Sequence, residues 1–206
     1  MTNNPKPVLI VIAGPNGAGK TSITSQILQH NWVEGCEYIN PDIIAQELFG
    51  DWNSPEAILK AVKYSSALRE KCLIEKKSFI FETVFSAEDK ISFIKKAREN
   101  GFFIRLFFVG TNHPSINASR IARRVMEGGH DVPITKIISR YSKSITNCAI
   151  ASKYIDRLYI YDNSIEFGNP LLLFRAIEGK IIKTYSKINE WALNIFNYME
   201  EHSNKA

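Results

Sequence analysis

The chain has 206 residues, 45% hydrophobic and 23% charged, with a formal net charge of +5. That length and balance suit one folded domain with a sizeable core and exclude a disordered, fibrous or disulfide-dense protein. No stretch is long and apolar enough to cross a membrane, and the dispersed Lys and Arg residues favour a small polyanion over a nucleic acid as partner.

Taken in chain order, "VLIVIAG" (Val8 to Gly14) is an apolar, β-branched run that reads as a buried strand. It follows a lone lysine and runs straight into a glycine loop, so it is not a signal peptide. "KTSITSQILQH" (Lys20 to His30) places Ile23, Ile27 and Leu28 on one helical face. A short strand is expected over Cys36 to Asn40, then a helix opened by Pro41. Ser54 and Pro55 begin a long amphipathic helix. Strands are expected at Ser78 to Thr83 and Phe102 to Gly110, separated by a helix that Gly101 ends. Helices follow over Pro114 to Met126 and Ile134 to Lys153, then a strand in "RLYIYDNS". "LLLFRAI" and "KIIKTY" form a hairpin turned at Gly179, and "KINEWALNIFNYMEEH" closes as a helix.

Strands alternating with helices predict an α/β protein: a phosphate-loop NTPase three-layer sandwich, its mainly parallel sheet carrying the C-terminal hairpin at one edge. Residues 1–206 are expected to form one domain, with a lid over roughly 114–140. Cys36, Cys72 and Cys148 have no metal-like or redox spacing and read as reduced thiols, which points to the cytoplasm.

The chemistry starts at "GPNGAGKT". Gly14, Gly19, Lys20 and Thr21 complete G-x-x-x-x-G-K-[ST] between a strand and a helix, the context that this motif requires. Gly14, Pro15, Asn16, Gly17, Ala18, Gly19, Lys20, Thr21 and Ser22 are the expected cradle for ATP or GTP. Backbone N–H groups face the phosphates, Lys20 reaches the β- and γ-phosphates, and Thr21 offers its hydroxyl to Mg²⁺.

Other candidates stand where strands end, since ligands gather at the carboxyl ends of parallel strands. Asp42, in the first turn of a helix, suits a base for an acceptor hydroxyl; its plainer role is to stabilise that helix start. Glu82 could hold Mg²⁺ through water or bind a substrate hydroxyl, and Thr83 could donate to substrate. Asp162 ends the last parallel strand, so carboxylates are expected to converge beside the phosphates, with "YDNS" near Asn163 as a wall of the base pocket. "RIARRVMEGGHDVP" reads as a cationic lid: Arg120, Arg123 and Arg124 on a helix, His130 in the break, and Arg140 beyond. Such guanidinium groups neutralise a transferring phosphoryl group; the alternative is a solvated basic face.

"GPNGAGKT", "INPD", "FET", "RVMEGGHDVP", "RYSKS" and "YDNS" together resemble the zeta-toxin family of phosphate-loop kinases, over roughly residues 8–165. The resemblance implies phosphorylation of UDP-N-acetylglucosamine by ATP or GTP with Mg²⁺, poisoning the cell, and control by a separate antitoxin. It places Asp42 as base for the sugar 3′-hydroxyl, Glu82 and Thr83 at the sugar nucleotide, and Arg124 as the first lid arginine. The chain departs from the long toxins at His130, where they carry a second lid arginine, and in "ETVF" in place of Glu-Gly-Thr. The readings left open are a kinase of another nucleotide-like metabolite and a polynucleotide 5′-kinase or nucleic-acid-dependent ATPase.

Overall fold

The computed structural model describes residues 6–50, 54–129 and 131–203. Seven strands form one sheet: β1 (Val8–Ala13), β2 (Glu37–Ile39), β3 (Phe79–Thr83), β4 (Phe103–Gly110), β5 (Arg157–Asp162), β6 (Leu171–Ile177) and β7 (Lys180–Thr184), in the order β2-β3-β1-β4-β5-β6-β7. β1 to β5 run parallel, and β6 and β7 close the edge antiparallel. Glu178 and Gly179 turn the last hairpin, both at positive φ (48° and 78°), as a tight two-residue turn requires.

Side-chain alternation divides the core. Leu9, Val11, Phe79, Phe81, Leu106 and Phe108 face one side. They pack under α3 (Pro55–Glu75), α4 (Glu88–Glu99), α6 (Ile134–Ala151) and α7 (Glu190–Ser203). Ile10, Ile12, Ile80, Phe107 and Val109 face the other side, under α1 (Lys20–Ile27). The helix of Lys20 is shorter than its pattern suggests, because Leu28 caps it and the polar stretch after it has no face to bury.

Local signals explain the remaining starts. α2 (Pro41–Phe49) has Asn40 as N-cap, its side chain accepting from the Asp42 N–H at 2.9 Å. α3 has Ser54 accepting from the Ala57 N–H at 3.0 Å. α5 (Pro114–Met126) is capped by His113, which accepts from the Ser115 N–H at 3.2 Å. Among the described residues no helix is long and apolar enough to cross a membrane.

Candidate active site

The strand order puts the loop after β1 between the ends of β3 and β4. Its start is pinned to β3, the Gly14 N–H donating to the Thr83 carbonyl at 3.2 Å. Two asparagines clamp it from the far side. Asn117 of α5 donates to the Asn16 carbonyl at 2.6 Å and takes a hydrogen bond from Thr111. Asn163, after β5, donates to the Ala18 carbonyl at 2.8 Å. Gly19 (φ +87°) lets the chain pass beneath that amide; a Cβ there would lie 2.1 Å from Asn163 Nδ2. So held, the N–H groups of Asn16, Gly17, Gly19, Lys20 and Thr21 meet no acceptor among the described residues. They form a nest at the start of α1 that fits the oxygens of a polyphosphate.

Lys20 lies inside this loop, its Nζ donating to the carbonyls of Gly14 (3.0 Å) and Pro15 (3.2 Å). Burial brings its pKa down to about 8, partly opposed by Glu82 and Asp42 and reinforced by Arg124. Glu82, Asp42 and Arg124 therefore each lie near enough to act on the Lys20 ammonium.

Glu82 is the hub of the acceptor side. Its Oε1 accepts from Thr24 of α1 at 2.8 Å and from Tyr38 of β2 at 2.7 Å. Tyr38 in turn accepts from Asn40 at 2.9 Å, and the Asn40 side chain holds the Asp42 N–H. This chain of hydrogen bonds links Glu82 to the turn that carries exposed Asp42. Burial and the Glu82 carboxylate push the Tyr38 phenol well up, so it stays a neutral donor. Among the described residues Glu82 Oε2 has no protein partner. The Thr83 hydroxyl accepts from the Phe85 N–H at 3.1 Å, and Ser144 and Asn147 of α6 hold the carbonyls of Val84 and Phe85.

The arginines divide. Arg124 is exposed and faces Lys20 electrostatically. Arg140 donates to the Asn16 side chain at 3.2 Å, which ties α6 to the phosphate loop. Arg120 and Arg123 turn instead to the segment after β5. Arg120 donates to the Ile165 carbonyl at 3.3 Å, while Arg123 pairs with Glu166 and lies over the Phe167 ring. Arg123 thus has a local acidic partner rather than the acceptor side. His130 lies outside the described residues.

Asp162 departs from its expected place beside the phosphates. It is buried, accepting from Trp191 Nε1 of α7 at 2.9 Å and from the Ser164 hydroxyl at 2.7 Å, so it anchors α7. Asn163 is the loop clamp just described. The wall after β5 begins at Ser164: a cavity of about 360 Å³ is lined by Ser115, Ile116, Ser119, Arg120, Ser164 and Glu166. Sequence reading passed over Thr24, Tyr38 and Asn117. Only Asn40, as a helix cap before Pro41, left a local signal.

A phosphate nest after β1, a lysine inside it and carboxylates at the ends of neighbouring parallel strands define a phosphate-loop kinase. The sequence model of the zeta toxin family matches residues 1–166, and the chain belongs to that family. An uncharacterized protein of Haemophilus influenzae is 30% identical over 132 residues, 64% of this chain and 91% of that one. Among solved structures, a chain of the PezAT chromosomal toxin-antitoxin system of Streptococcus pneumoniae is 16% identical. It aligns over 98% of this chain and 88% of its own, with a TM-score of 0.59. A chain of the AvrRxo1-ORF1:AvrRxo1-ORF2 complex with ATP is also 16% identical, over 97% of this chain and 77% of its own, with a TM-score of 0.61. These two structures share the fold; the family makes the chain a phosphotransferase.

Proposed function

We propose that this protein transfers the γ-phosphate of ATP or GTP to a hydroxyl of a nucleotide sugar, with the 3′-hydroxyl of UDP-N-acetylglucosamine as the first acceptor to test. The observation that carries this reading is the hydrogen-bond chain from Glu82 through Tyr38 and Asn40 to Asp42, with both carboxylates acting on the Lys20 ammonium inside the phosphate nest. The loop from Gly14 to Ser22 cradles the triphosphate, and the cavity beside Arg120 and Ser164 takes the base. The residues also suit Mg²⁺: the Thr21 hydroxyl is exposed, Glu82 keeps one oxygen uncommitted, and a triphosphate supplies the other oxygens. Bound there, the ion neutralises phosphate charge.

In this reading Asp42 accepts the proton of the attacking hydroxyl, supported by its exposure and by the Asn40 side chain that holds its backbone N–H. Glu82 and Thr83 orient the acceptor. Arg124, Arg140 and His130 supply cations around the transferred group, with Arg120 nearer the base and Arg123 paired to Glu166. Residues 1–206 act as one kinase domain in this reading. The PezAT and AvrRxo1 chains come from two-component complexes. For this chain we expect toxicity checked by a separate antitoxin: expression should arrest growth, Lys20→Ala should abolish the arrest, and co-expression of a neighbouring gene should relieve it.

The direct test is transfer of labelled γ-phosphate to UDP-N-acetylglucosamine by wild type and by Asp42→Asn. Transfer by wild type, reduced about 10²-fold or more in the variant with nucleotide binding intact, is the expected result. Full turnover in Asp42→Asn removes the base assignment, and label on a different acceptor removes the nucleotide sugar.

A further inference from the structure

The two sides of the sheet are covered unequally. One packs under α3, α4, α6 and α7. On the other, the core takes helical side chains only from α1, through Ile23 and Ile27. Among the described residues no helix joins that core over β5, β6 and β7.

Strand register gathers on this open side cations that are scattered in the sequence. Leu106 and Leu158 lie in the covered core, so their neighbours Arg105 and Arg157 face the other way. These two arginines are direct partners across β4 and β5. Tyr159 pairs with Arg175 across β5 and β6, and Arg175 with Lys183 across β6 and β7. Like charges directly opposite one another destabilise a sheet. Among the described residues none of the four cations is ion-paired. No position on this side of β4 to β7 is Asp or Glu. Arg175 Nε is buried and has no hydrogen-bond partner among the described residues. Two like-charge pairs and an unpartnered guanidinium N–H are a cost that a bound anion relieves.

Aromatic rings are interleaved with these charges. Arg105 lies over Trp32 at 4.9 Å and Phe103 at 5.2 Å, and Arg157 over Phe103 at 5.6 Å. Lys183 lies over exposed Tyr185 at 4.9 Å. The Phe107 and Tyr159 rings stack with centroids 4.7 Å apart. Burial raises the Tyr161 pKa, and the Tyr159 and Tyr185 phenols raise it further, so three tyrosines cluster here.

This combination selects among polyanions. The centre of a protein interface is depleted of charge, whereas the centre here is arginine and tyrosine. A duplex shows its phosphates but keeps its base faces stacked inside. A single strand offers both phosphates and unpaired bases. The tyrosine hydroxyls add partners for a 2′-hydroxyl. The face also stands away from the phosphate loop. That loop follows the carboxyl end of β1, while Arg157 opens β5 at its amino end.

We propose that the open side of β4 to β7 binds single-stranded RNA. Arg105, Arg157, Arg175 and Lys183 hold the phosphates, and the tyrosine rings stack on unpaired bases.

The test is fluorescence anisotropy of a labelled single-stranded RNA of about ten nucleotides. The full chain is saturated with Mg²⁺ and a non-hydrolysable ATP analogue, so that the phosphate nest is occupied. Wild type should bind, with a log–log salt slope of about −3 for four cations. Arg157→Gln/Lys183→Gln should bind about tenfold more weakly, with the slope shallower by about 1.4. Arg157→Lys/Lys183→Arg should keep both affinity and slope. Tyr185→Ala, at an exposed position, should weaken binding about fivefold or more and leave the slope unchanged. Lys60→Gln/Lys95→Gln removes as much charge from exposed sites on α3 and α4 and should bind as wild type does.

Failure of wild type to bind, equal weakening in the α3 and α4 pair, or release by the ATP analogue overturns the proposal. DNA of the same sequence binding as tightly overturns the assignment to RNA. Polyglutamate displacing the label as well as unlabelled RNA does would give the face to an acidic protein instead. Lys20→Ala should lose phosphoryl transfer and keep RNA binding, so this face and the kinase reading fail separately.

Discussion

Asn163→Ala tests whether the phosphate loop is held in shape from outside. The Asn163 amide, 8% exposed, donates to the carbonyl of fully buried Ala18 at 2.8 Å. Removing it leaves that carbonyl without a partner, at a cost of about 1–3 kcal/mol. In a chain of this size, 2 kcal/mol lowers the melting temperature by about 4–8 °C. The loop also loses one of its two asparagine clamps, so part of the ordering it had before binding must now be supplied by the nucleotide. We expect about tenfold weaker binding of a non-hydrolysable ATP analogue. Gly19→Ala supplies the control, because it costs about 1–2 kcal/mol in backbone strain alone at φ +87°. It also drives a methyl group into Asn163 Nδ2. Adding Asn163→Ala removes that collision but not the strain, so the two changes together cost about 1 kcal/mol less than their sum. Thermal denaturation and calorimetric titration of all four proteins complete the cycle. Strict additivity, or an Asn163→Ala protein with wild-type melting and affinity, would refute the clamp.

Tyr38→Phe removes one donor to Glu82 and the acceptor of Asn40. Turnover should fall about tenfold while analogue binding holds; steady-state kinetics beside calorimetry separates the two. Lys20, held to about pKa 8, should regain its proton when polyphosphate binds. At pH 8.5 binding should therefore take up about three-quarters of a proton, read from titrations in buffers of different ionisation enthalpy, and affinity should fall as pH rises above 8. Lys20→Arg should abolish the uptake. For folding the sign is opposite: the unfolded lysine binds the proton more tightly, so the cost of burying its charge is full below pH 8 and relieved as pH rises towards 10.5. Trp191→Phe deprives buried Asp162 of its indole donor and should lower stability by about 1–3 kcal/mol without changing analogue affinity.

What could be read from the chain beforehand was whatever depends on near neighbours. Gly14 to Thr21 announces the phosphate loop within eight positions, and Ser54, Pro55 and Gly179 mark their helix start and turn for local steric reasons. The parallel sheet and its edge hairpin follow from that alternation. The parts of the site that escaped are joined across long separations. Asn163 meets Ala18 145 positions away, Asn117 meets Asn16 across 101, and Tyr38 meets Glu82 across 44. No local pattern distinguishes such an asparagine or tyrosine from an ordinary helix, strand or loop residue.

The same limit explains the residues placed differently. Asp162 and Arg123 looked free because their partners, Trp191 and Glu166, lie 29 and 43 positions on. The strand order turns these distant pairs into one site. With β3 and β4 flanking β1, the end of β3 stands beside the phosphate loop, and at the end of β5, one strand further off, Asn163 still reaches the loop while Asp162 turns to α7. Glu82 therefore faces Lys20, while Asp162, further along the sheet, is left to hold α7. Polar residues at strand ends thus take different roles according to the strand they end and the element their side chain meets, both fixed by topology and absent from any short stretch of sequence.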